Sequence, residues 1–278
     1  MTVRFHDTPA EFAAAAREVA SRSPASEAFV AAWCSGLERH PPPAGVVVLF
    51  ATATAGGERA LAMQHGANPV LVENSDATAA AEIARALVAR GWTVPGVQGG
   101  EPACDAFAGV WCASTGARRV VHARLRHHLL ERVESTPAAA GAMRPATRAD
   151  ADWLVDALEA FKDEARIPAA PQGTARFVAE RLAEDRFRIW DDGGPVSFCG
   201  ANPVGDAARI GPVWTPRAHR RRGYATALVA QASRERLARG ATRLFLVTDI
   251  ANPTSNAIYA RIGYRPLGDA VDLRFVPA

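Results

Sequence analysis

Lysine, cysteine and long apolar runs are scarce in this 278-residue sequence. Lys162 is the only lysine, so arginine carries nearly all the positive charge, and the formal net charge is only +3. A charge balance this small gives no argument for nucleic acid as a partner. The longest apolar run, residues 46–51, is far shorter than the roughly 18 residues that a membrane span needs. Residues 1–20 contain no apolar segment typical of a signal peptide, so we expect a cytoplasmic protein without a membrane partner.

The few cysteines give no metal or redox signature. The sequence has four cysteines: Cys34, Cys104, Cys112 and Cys199. None of them forms a C-x-x-C pair or has a spacing common in zinc sites. We expect reduced thiols that pack as small hydrophobic side chains, and no metal site.

Length and element order predict two domains. A domain usually takes roughly 100–200 residues, and the small, uncharged segment 136–142 is typical of a linker. The predicted division is therefore a first domain over residues 1–135, a linker over 136–142 and a second domain over 143–278. Both halves alternate helices and strands in a similar order, which indicates a duplicated α/β (α+β) domain.

The predicted elements of the second half surround one informative segment. Strands over 187–190 and 196–201 are joined by a tight turn, and a strand over 208–214 leads into a helix over 223–239. A strand over 243–248, a helix over 255–262 and a strand near 271–275 follow. In the first half, residues 92–94 are predicted as a strand, 95–100 as a glycine-rich loop, and 118–133 as extended or mixed.

The segment between the strand ending at Trp214 and the helix beginning near Gly223 is rich in arginine. A helix start offers unpaired backbone N–H groups and the positive end of the helix dipole, which together suit a phosphate group. Gly223 allows close approach to the backbone, and the small Ala225 keeps the first turn open. A solvated basic turn at a helix start is the alternative that these residues leave open.

Two blocks of the second half resemble one known family. Arg220-x-x-Gly223-x-Ala225 resembles the R/Q-x-x-G-x-G/A signature of the GNAT superfamily of N-acetyltransferases. Asn252, Tyr259, Gly263 and Tyr264 fit the N-x₆-Y-x₃-G-F/Y block of that family, and the resemblance covers about residues 143–278. In the first half, residues 99–102 stand where a second signature is expected but lack its arginine and its final small residue. We therefore predict a degenerate GNAT-like domain there.

The resemblance implies two tandem domains, each with a mixed, splayed sheet flanked by helices, and acetyl-CoA as the acyl donor. The pantetheine arm would enter between strands 208–214 and 243–248, and the backbone N–H groups of residues 221–225 would bind the pyrophosphate. The cofactor-binding residues implied in this way are Val213, Thr215, Arg220, Arg221, Arg222, Gly223, Tyr224, Ala225 and Asn252.

The chemistry requires a base and an acid. An alkyl ammonium with a pKa of about 10 must lose a proton before it attacks, and the departing thiolate gains from a proton donor. The resemblance places Tyr259 near the sulfur, and Tyr259 is the predicted donor. Because residues 208–214 contain no carboxylate, Glu164 is the first candidate for the base.

Further residues bear on proton transfer. Asp163 and Asp249 are further candidates for the base, and for each of them, as for Glu164, a surface role stays open. His219 is interpreted as a phosphate-side or surface residue rather than a base. His127 and His128 are predicted to be ordinary exposed charge.

These observations lead to one main hypothesis and its alternatives. The chain is predicted to be an acetyl-CoA-dependent N-acetyltransferase whose acceptor is an amine of a small molecule or a protein N-terminus. The first alternative is an inactive acyl-CoA-binding regulatory protein. A nucleic-acid-binding module is disfavoured because no aromatic residues alternate with the arginines. A homodimer and the use of longer acyl-CoAs are left open.

Overall fold

The structure of the protein, a computed structural model, describes residues 2–168 and 172–278. Those residues form eight α-helices and twelve β-strands. The helices are α1 (Pro9–Ala20), α2 (Pro24–Arg39), α3 (Ala77–Ala89), α4 (Glu101–Thr115), α5 (Ala151–Ala165), α6 (Thr174–Ala183), α7 (Tyr224–Ala238) and α8 (Pro253–Ile262). The strands are β1 (Thr2–Phe5), β2 (Val48–Ala55), β3 (Glu58–His65), β4 (Val70–Val72), β5 (Gly96–Gly99), β6 (Arg118–Leu130), β7 (Ala142–Pro145), β8 (Phe187–Asp191), β9 (Pro195–Val204), β10 (Ala207–Trp214), β11 (Arg243–Asp249) and β12 (Arg265–Val276).

The chain divides into two compact units whose boundaries are not contiguous in sequence. The first unit contains the chain up to Arg126 together with Asp249–Ala251 and Gly268–Ala278. The second contains His127–Thr248 and Asn252–Leu267. This division differs from the predicted domains over 1–135 and 143–278. The physical reason in the first unit is backbone pairing, since Val271 and Leu273 of β12 lie in register with β5.

The first unit is a mixed sheet covered by helices on both faces. Its strand order is β1-β2-β3-β4-β5-β12, and the β4–β5 pair is parallel whereas the others are antiparallel. Alternate residues of β2 serve the two faces. Leu49 packs with Ile83 of α3 and Phe107 of α4, and Phe50 packs with Phe12 of α1 and Val30 of α2.

The second unit repeats this arrangement. Its strand order is β7-β8-β9-β10-β11-β6, and the β10–β11 pair is parallel. Helices α5 and α6 cover one face around Leu154, Val178 and Phe198. Helices α7 and α8 cover the other face around Leu228 and Ile262. The repeated order confirms the predicted fold class of two tandem mixed sheets flanked by helices.

The glycines of β5 explain why the sequence predicts this strand at the wrong position. The structure has β5 over Gly96–Gly99, inside the predicted loop, and not over residues 92–94. A Cβ on Gly96 would lie 2.2 Å from the Leu273 carbonyl oxygen, and one on Gly99 would lie 2.8 Å from that of Val72. The neighbouring strands approach so closely that only glycine fits, which is one of the few reasons for glycine inside a strand.

The predicted linker over 136–142 is tied to the second unit at its C-terminal end. The Trp190 indole N–H donates to the Ala140 carbonyl at 2.6 Å, and Ala142 begins β7 in register with Asp191. The four cysteines are free. Within residues 2–168 and 172–278, no helix combines the length and apolar character needed to cross a bilayer.

Candidate active site

Strands β10 and β11 separate after a short paired segment. Their parallel register runs from Ala207 opposite Arg243 to Arg209 opposite Phe245. In the described part of the chain, the remaining residues of the two strands lie outside that register. The two strands therefore open toward their C-terminal ends, which leaves the backbone near Val213 at the edge of the opening.

A bulge in β10 accompanies this separation. The register between β10 and β9 shifts between Ile210 and Val213, at the place where Asn202 on β9 donates to the Gly211 carbonyl at 3.1 Å. A Cβ on Gly200 would lie 2.4 Å from that same carbonyl oxygen. Glycine on β9 thus permits the displaced backbone of β10, and Asn202 satisfies the carbonyl that is turned out of the ladder.

The N-terminus of α7 follows the opening. Gly223, with a φ of 84°, precedes its first residue and as the N-cap residue has no side chain that could cap the helix. The first N–H groups of a helix have no intrahelical partner, so this end can bind an anion. Among the described residues, a Cβ on Gly223 would have the Ala139 side chain as its only neighbour within 4 Å, at 3.6 Å. Glycine is therefore favoured here by the left-handed backbone and not by lack of space.

The predicted cofactor residues around Gly223 have distinct surroundings. Arg221 and Arg222 are exposed, so they can add positive charge at the helix start. The Tyr224 hydroxyl donates to Asp192 Oδ2 at 2.5 Å, and its buried ring packs in the core beneath α7. Tyr224 can thus offer only its backbone to a ligand.

Glu164 lies in ion pairs with the arginine loop. Arg220 donates to its two oxygens at 2.9 and 2.7 Å, and Arg217 Nε lies 3.4 Å away. Burial would raise the pKa of Glu164, but the hydrogen bonds and charges of Arg220 and Arg217 outweigh it and hold that pKa below its ordinary value. A base for an ammonium group needs the opposite shift.

Tyr259 is enclosed in the core cluster of α7 and α8. It is 8% exposed, and its ring centroid lies 5.9 Å from that of Tyr264. Burial, reinforced by Cys199, raises the pKa of Tyr259 well above its ordinary value. Its phenol therefore keeps its proton throughout the neutral range, as a proton donor must.

A buried hydrogen-bond chain lies beside Tyr259 and was missed from the sequence. His128 is only 3% exposed, which contradicts its predicted exposure, and its ring centroid lies 6.3 Å from that of Tyr259. His128 Nε2 lies 3.0 Å from Thr248 Oγ1, and Thr248 donates to Asn256 Oδ1 at 2.7 Å. Because that hydroxyl has one proton, His128 must donate from Nε2. In a strand, residues two positions apart lie on the same face, so His128 shares a face of β6 with the apolar Leu130. That spacing is the signal that could have indicated the burial of His128.

The other candidates are placed as follows. Asn252 caps α8, since its side chain accepts from the Ser255 N–H at 3.1 Å. Asp249 Oδ1 accepts from the Ala251 N–H in the first unit. Asp163 is exposed, and His219 is the last residue of a short 3-10 helix over Arg217–His219 after β10. Among the described residues, no group of three or more His, Cys, Asp or Glu side chains could hold a metal ion.

The first unit lacks this opening at the equivalent place. All three residues of β4 pair with β5, from Val70 to Val72. Helix α3 follows β4 as α7 follows β10, so the counterpart of the arginine loop is residues 73–76 and not residues 99–102, which the sequence analysis had chosen. Glu58 Oε2 accepts from the Thr78 N–H in the first turn of α3 at 3.0 Å. A carboxylate of the protein thus stands where a phosphate would bind.

Comparisons with known proteins agree with this geometry. Residues 151–264 match the family model described as the Acetyltransferase (GNAT) family. The match lies in the C-terminal half of the chain. No curated protein sequence gives a significant match.

Several solved structures share the fold over nearly the whole chain. A GCN5-related N-acetyltransferase from Sphaerobacter thermophilus is 18% identical, with a TM-score of 0.64 and coverage of 100% of this chain and 96% of that one. A tandem GNAT protein from the clavulanic acid biosynthesis pathway is 15% identical, with a TM-score of 0.59 and coverage of 99% and 98%. A GNAT-family acetyltransferase from Colwellia psychrerythraea is 11% identical, with a TM-score of 0.58 and coverage of 99% of each chain. At these identities the similarity shows the fold.

Proposed function

We propose that the C-terminal half, which carries a GNAT acetyltransferase-family domain, transfers an acetyl group from acetyl-CoA to an amine by direct attack. The observation that supports this proposal is the junction between the β10–β11 opening and the N-terminus of α7. The opening between β10 and β11 leads directly to the uncapped N-terminus of α7, and that turn carries Arg220, Gly223 and Ala225 of the signature.

The donor would lie along this junction. The backbone N–H groups of residues 221–225 would bind the pyrophosphate, with the charges of Arg221 and Arg222 beside it. The pantetheine arm would pair with the open backbone at Val213 and Thr215 and contact Asn252. This placement takes the thioester to the end of β10, beside the core that encloses Tyr259.

The transfer requires several proton transfers and the stabilisation of one negative charge. The acceptor ammonium loses one proton to solvent or a base, and the neutral amine attacks the thioester carbonyl carbon. The oxyanion that forms is stabilised by a fixed backbone N–H at the end of β10. When the carbon–sulfur bond breaks, Tyr259 gives its proton to the thiolate, and the second nitrogen proton returns the phenol to its neutral form through solvent. The balance is one amide, one free thiol and one released proton.

The acceptor is proposed only as an amine, on a small molecule or at a protein N-terminus. The surroundings of Glu164 favour one alternative to catalysis. Residues 208–214 contain no carboxylate, and the ion pairs of Glu164 oppose a role as base. An acyl-CoA-binding regulatory protein without turnover is therefore the second candidate function.

Calorimetric titration with acetyl-CoA tests the donor site. We expect saturable binding by the wild type, none by Gly223→Asp, and weakened binding by Gly223→Asn. Asparagine tolerates the left-handed backbone and has the size of aspartate without its charge, so the pair isolates the charge that would meet the pyrophosphate. Absence of binding by the wild type would contradict both candidate functions.

Transfer to a panel of amines then separates the two candidates. The panel contains an alkylamine, an arylalkylamine, an amino acid amide and a tripeptide with a free N-terminus. Release of free CoA thiol with formation of an acetylated amine supports the enzyme. Tight binding without turnover on this panel, unchanged in Tyr259→Phe, supports the regulator.

A further inference from the structure

Glu164 links the end of α5 to the loop before α7. Its two oxygens accept from the same guanidinium nitrogen of Arg220, at 2.9 and 2.7 Å, and Arg217 lies at the edge of this group. Charge-assisted hydrogen bonds of this kind are stronger and more directional than neutral ones. Glu164 is therefore an anchor of the arginine loop.

Arg220 connects Glu164 to the end of β10. Its Nε donates to the Thr215 carbonyl at 2.9 Å. Ser197 on β9 is fully buried and holds the same place from the other side, donating to the Trp214 carbonyl at 3.0 Å and lying 2.8 Å from Thr215 Oγ1. The end of β10 is thus fixed by one group from the loop and one from the sheet.

The backbone directly after Arg220 is in an unfavourable conformation. Arg221 has a φ of 62° and Gly223 a φ of 84°. A left-handed backbone is disfavoured for a residue with a Cβ, and such conformations persist where the surrounding structure fixes them. The anchored side chain of Arg220 stands immediately before this strained residue.

We propose that Glu164 is a positioning residue for acetyl-CoA and not the base of the reaction, an inference that rests on the proposed function. Through Arg220 it holds the end of β10 and the loop from Arg217 to Gly223 in the shape that receives the pantetheine and the pyrophosphate. Without Glu164, Arg220 loses its two carboxylate acceptors and keeps only the Thr215 carbonyl, and the strained backbone at Arg221 relaxes away from that shape.

Glu164→Gln tests this assignment, because it removes the charge and keeps the size of the side chain. We expect its Kd for acetyl-CoA to rise about tenfold, as the loss of a hydrogen bond between charged groups predicts. Its kcat at saturating acetyl-CoA should stay within about twofold of the wild type, and the pH profile of kcat should be unchanged. Asp156→Asn, which changes an exposed carboxylate about two turns earlier on the same helix, is the matched control and should leave both quantities unchanged.

A double-variant cycle identifies the partner. Because Glu164 acts through Arg220, the combined Glu164→Gln and Arg220→Gln variant should bind acetyl-CoA no more weakly than Arg220→Gln alone. Thermal melting of each variant reports whether the fold is retained.

The outcomes are distinct. Loss of kcat by about a hundredfold or more with an unchanged Kd would identify Glu164 as a base and overturn the assignment. An unchanged Kd together with an unchanged kcat would overturn it as well. Failure of the wild type to bind acetyl-CoA would instead overturn the proposed function, and this inference with it.

Discussion

Glu58 Oε2 accepts a hydrogen bond from the backbone N–H of Thr78 at 3.0 Å, in the first turn of α3. Asp76, which precedes that helix, binds the Arg22 guanidinium with both oxygens at 2.8 Å. The first unit therefore supplies its own anions at the helix start that corresponds to α7. In the second unit the N-cap residue of α7 is Gly223, which has no side chain that could cap the helix start. Two copies of one fold thus differ in the feature that we propose binds phosphate.

The contrast predicts one acetyl-CoA per chain. We expect calorimetry to give a stoichiometry of one for the wild type. Glu58→Gln should keep that stoichiometry, because β4 and β5 stay paired along the whole of β4 and offer no opening. A second binding event in the wild type, or binding that persists in Gly223→Asp, would contradict this distribution of sites.

Tyr259→Phe tests the proton donor. We expect kcat to fall about a hundredfold, the lower end for loss of general acid catalysis, with an unchanged Kd for acetyl-CoA. Because burial raises the pKa of Tyr259, the wild-type kcat should show no decline from phenol ionisation between about pH 7 and 9.5. The matched control is Tyr264→Phe, which removes a buried hydroxyl bonded to Ser233 at 2.9 Å. Equal effects of the two substitutions on kcat would exclude a specific role for Tyr259.

Thr248→Val tests the buried chain that runs from His128 to α8. The substitution keeps the shape of the side chain but leaves the His128 Nε2–H without its acceptor, so we expect the unfolding free energy to fall by about 1–3 kcal/mol. Thr248→Ser keeps the hydroxyl and should cost less, mainly through the lost methyl group. Urea denaturation monitored by tryptophan fluorescence measures both. The prediction fails if valine is tolerated as well as serine.

Asp150 gives the second unit a defined acid sensitivity. Hydrogen bonds from Arg144 lower the pKa of Asp150 to about 2, while partial burial opposes them. The pKa of this carboxyl is lower in the folded state than in the unfolded state, where it is about 3.9. The ionised carboxylate therefore stabilises the fold at pH values above about 3.9. Asp150→Asn should thus lower the unfolding free energy at pH 7 by about 2 kcal/mol.

The pH dependence follows from the same shift. The difference between the wild type and Asp150→Asn should shrink as the pH falls from about 4 toward 2, because protonation removes the contribution of Asp150 in the wild type. Denaturation curves over this range measure it, and Asp152→Asn in the first turn of α5 is the control. A difference that does not depend on pH would show that the charge of Asp150 is not responsible.

Helices such as α1 and α7 have start signals that are local in the sequence. Thr8 caps α1 by accepting from the Glu11 N–H, and α7 begins directly after the glycine of the signature. Strand β5 could not be predicted in this way. Its glycines are required by Leu273 and Val72, and Leu273 lies far away in the sequence.

The candidate site divides along the same line. The residues of the arginine loop are contiguous, so their motif was visible in the sequence. The partners that define Glu164 and His128 come from separate elements. Arg220 is 56 residues from Glu164, and Thr248 is 120 residues from His128. A sequence shows that such side chains exist, but only the fold shows what they bind.

Detection of the transfer product tests the central claim most directly. Purified protein is mixed with acetyl-CoA labelled in the acetyl group and with the amine panel, and the amines are analysed by mass spectrometry. The account predicts a labelled amide with an equal amount of free CoA in the wild type, and neither product above background in Gly223→Asp. Labelled amide formed equally by the folded Gly223→Asp variant, or none formed by a wild type that binds acetyl-CoA, would contradict it.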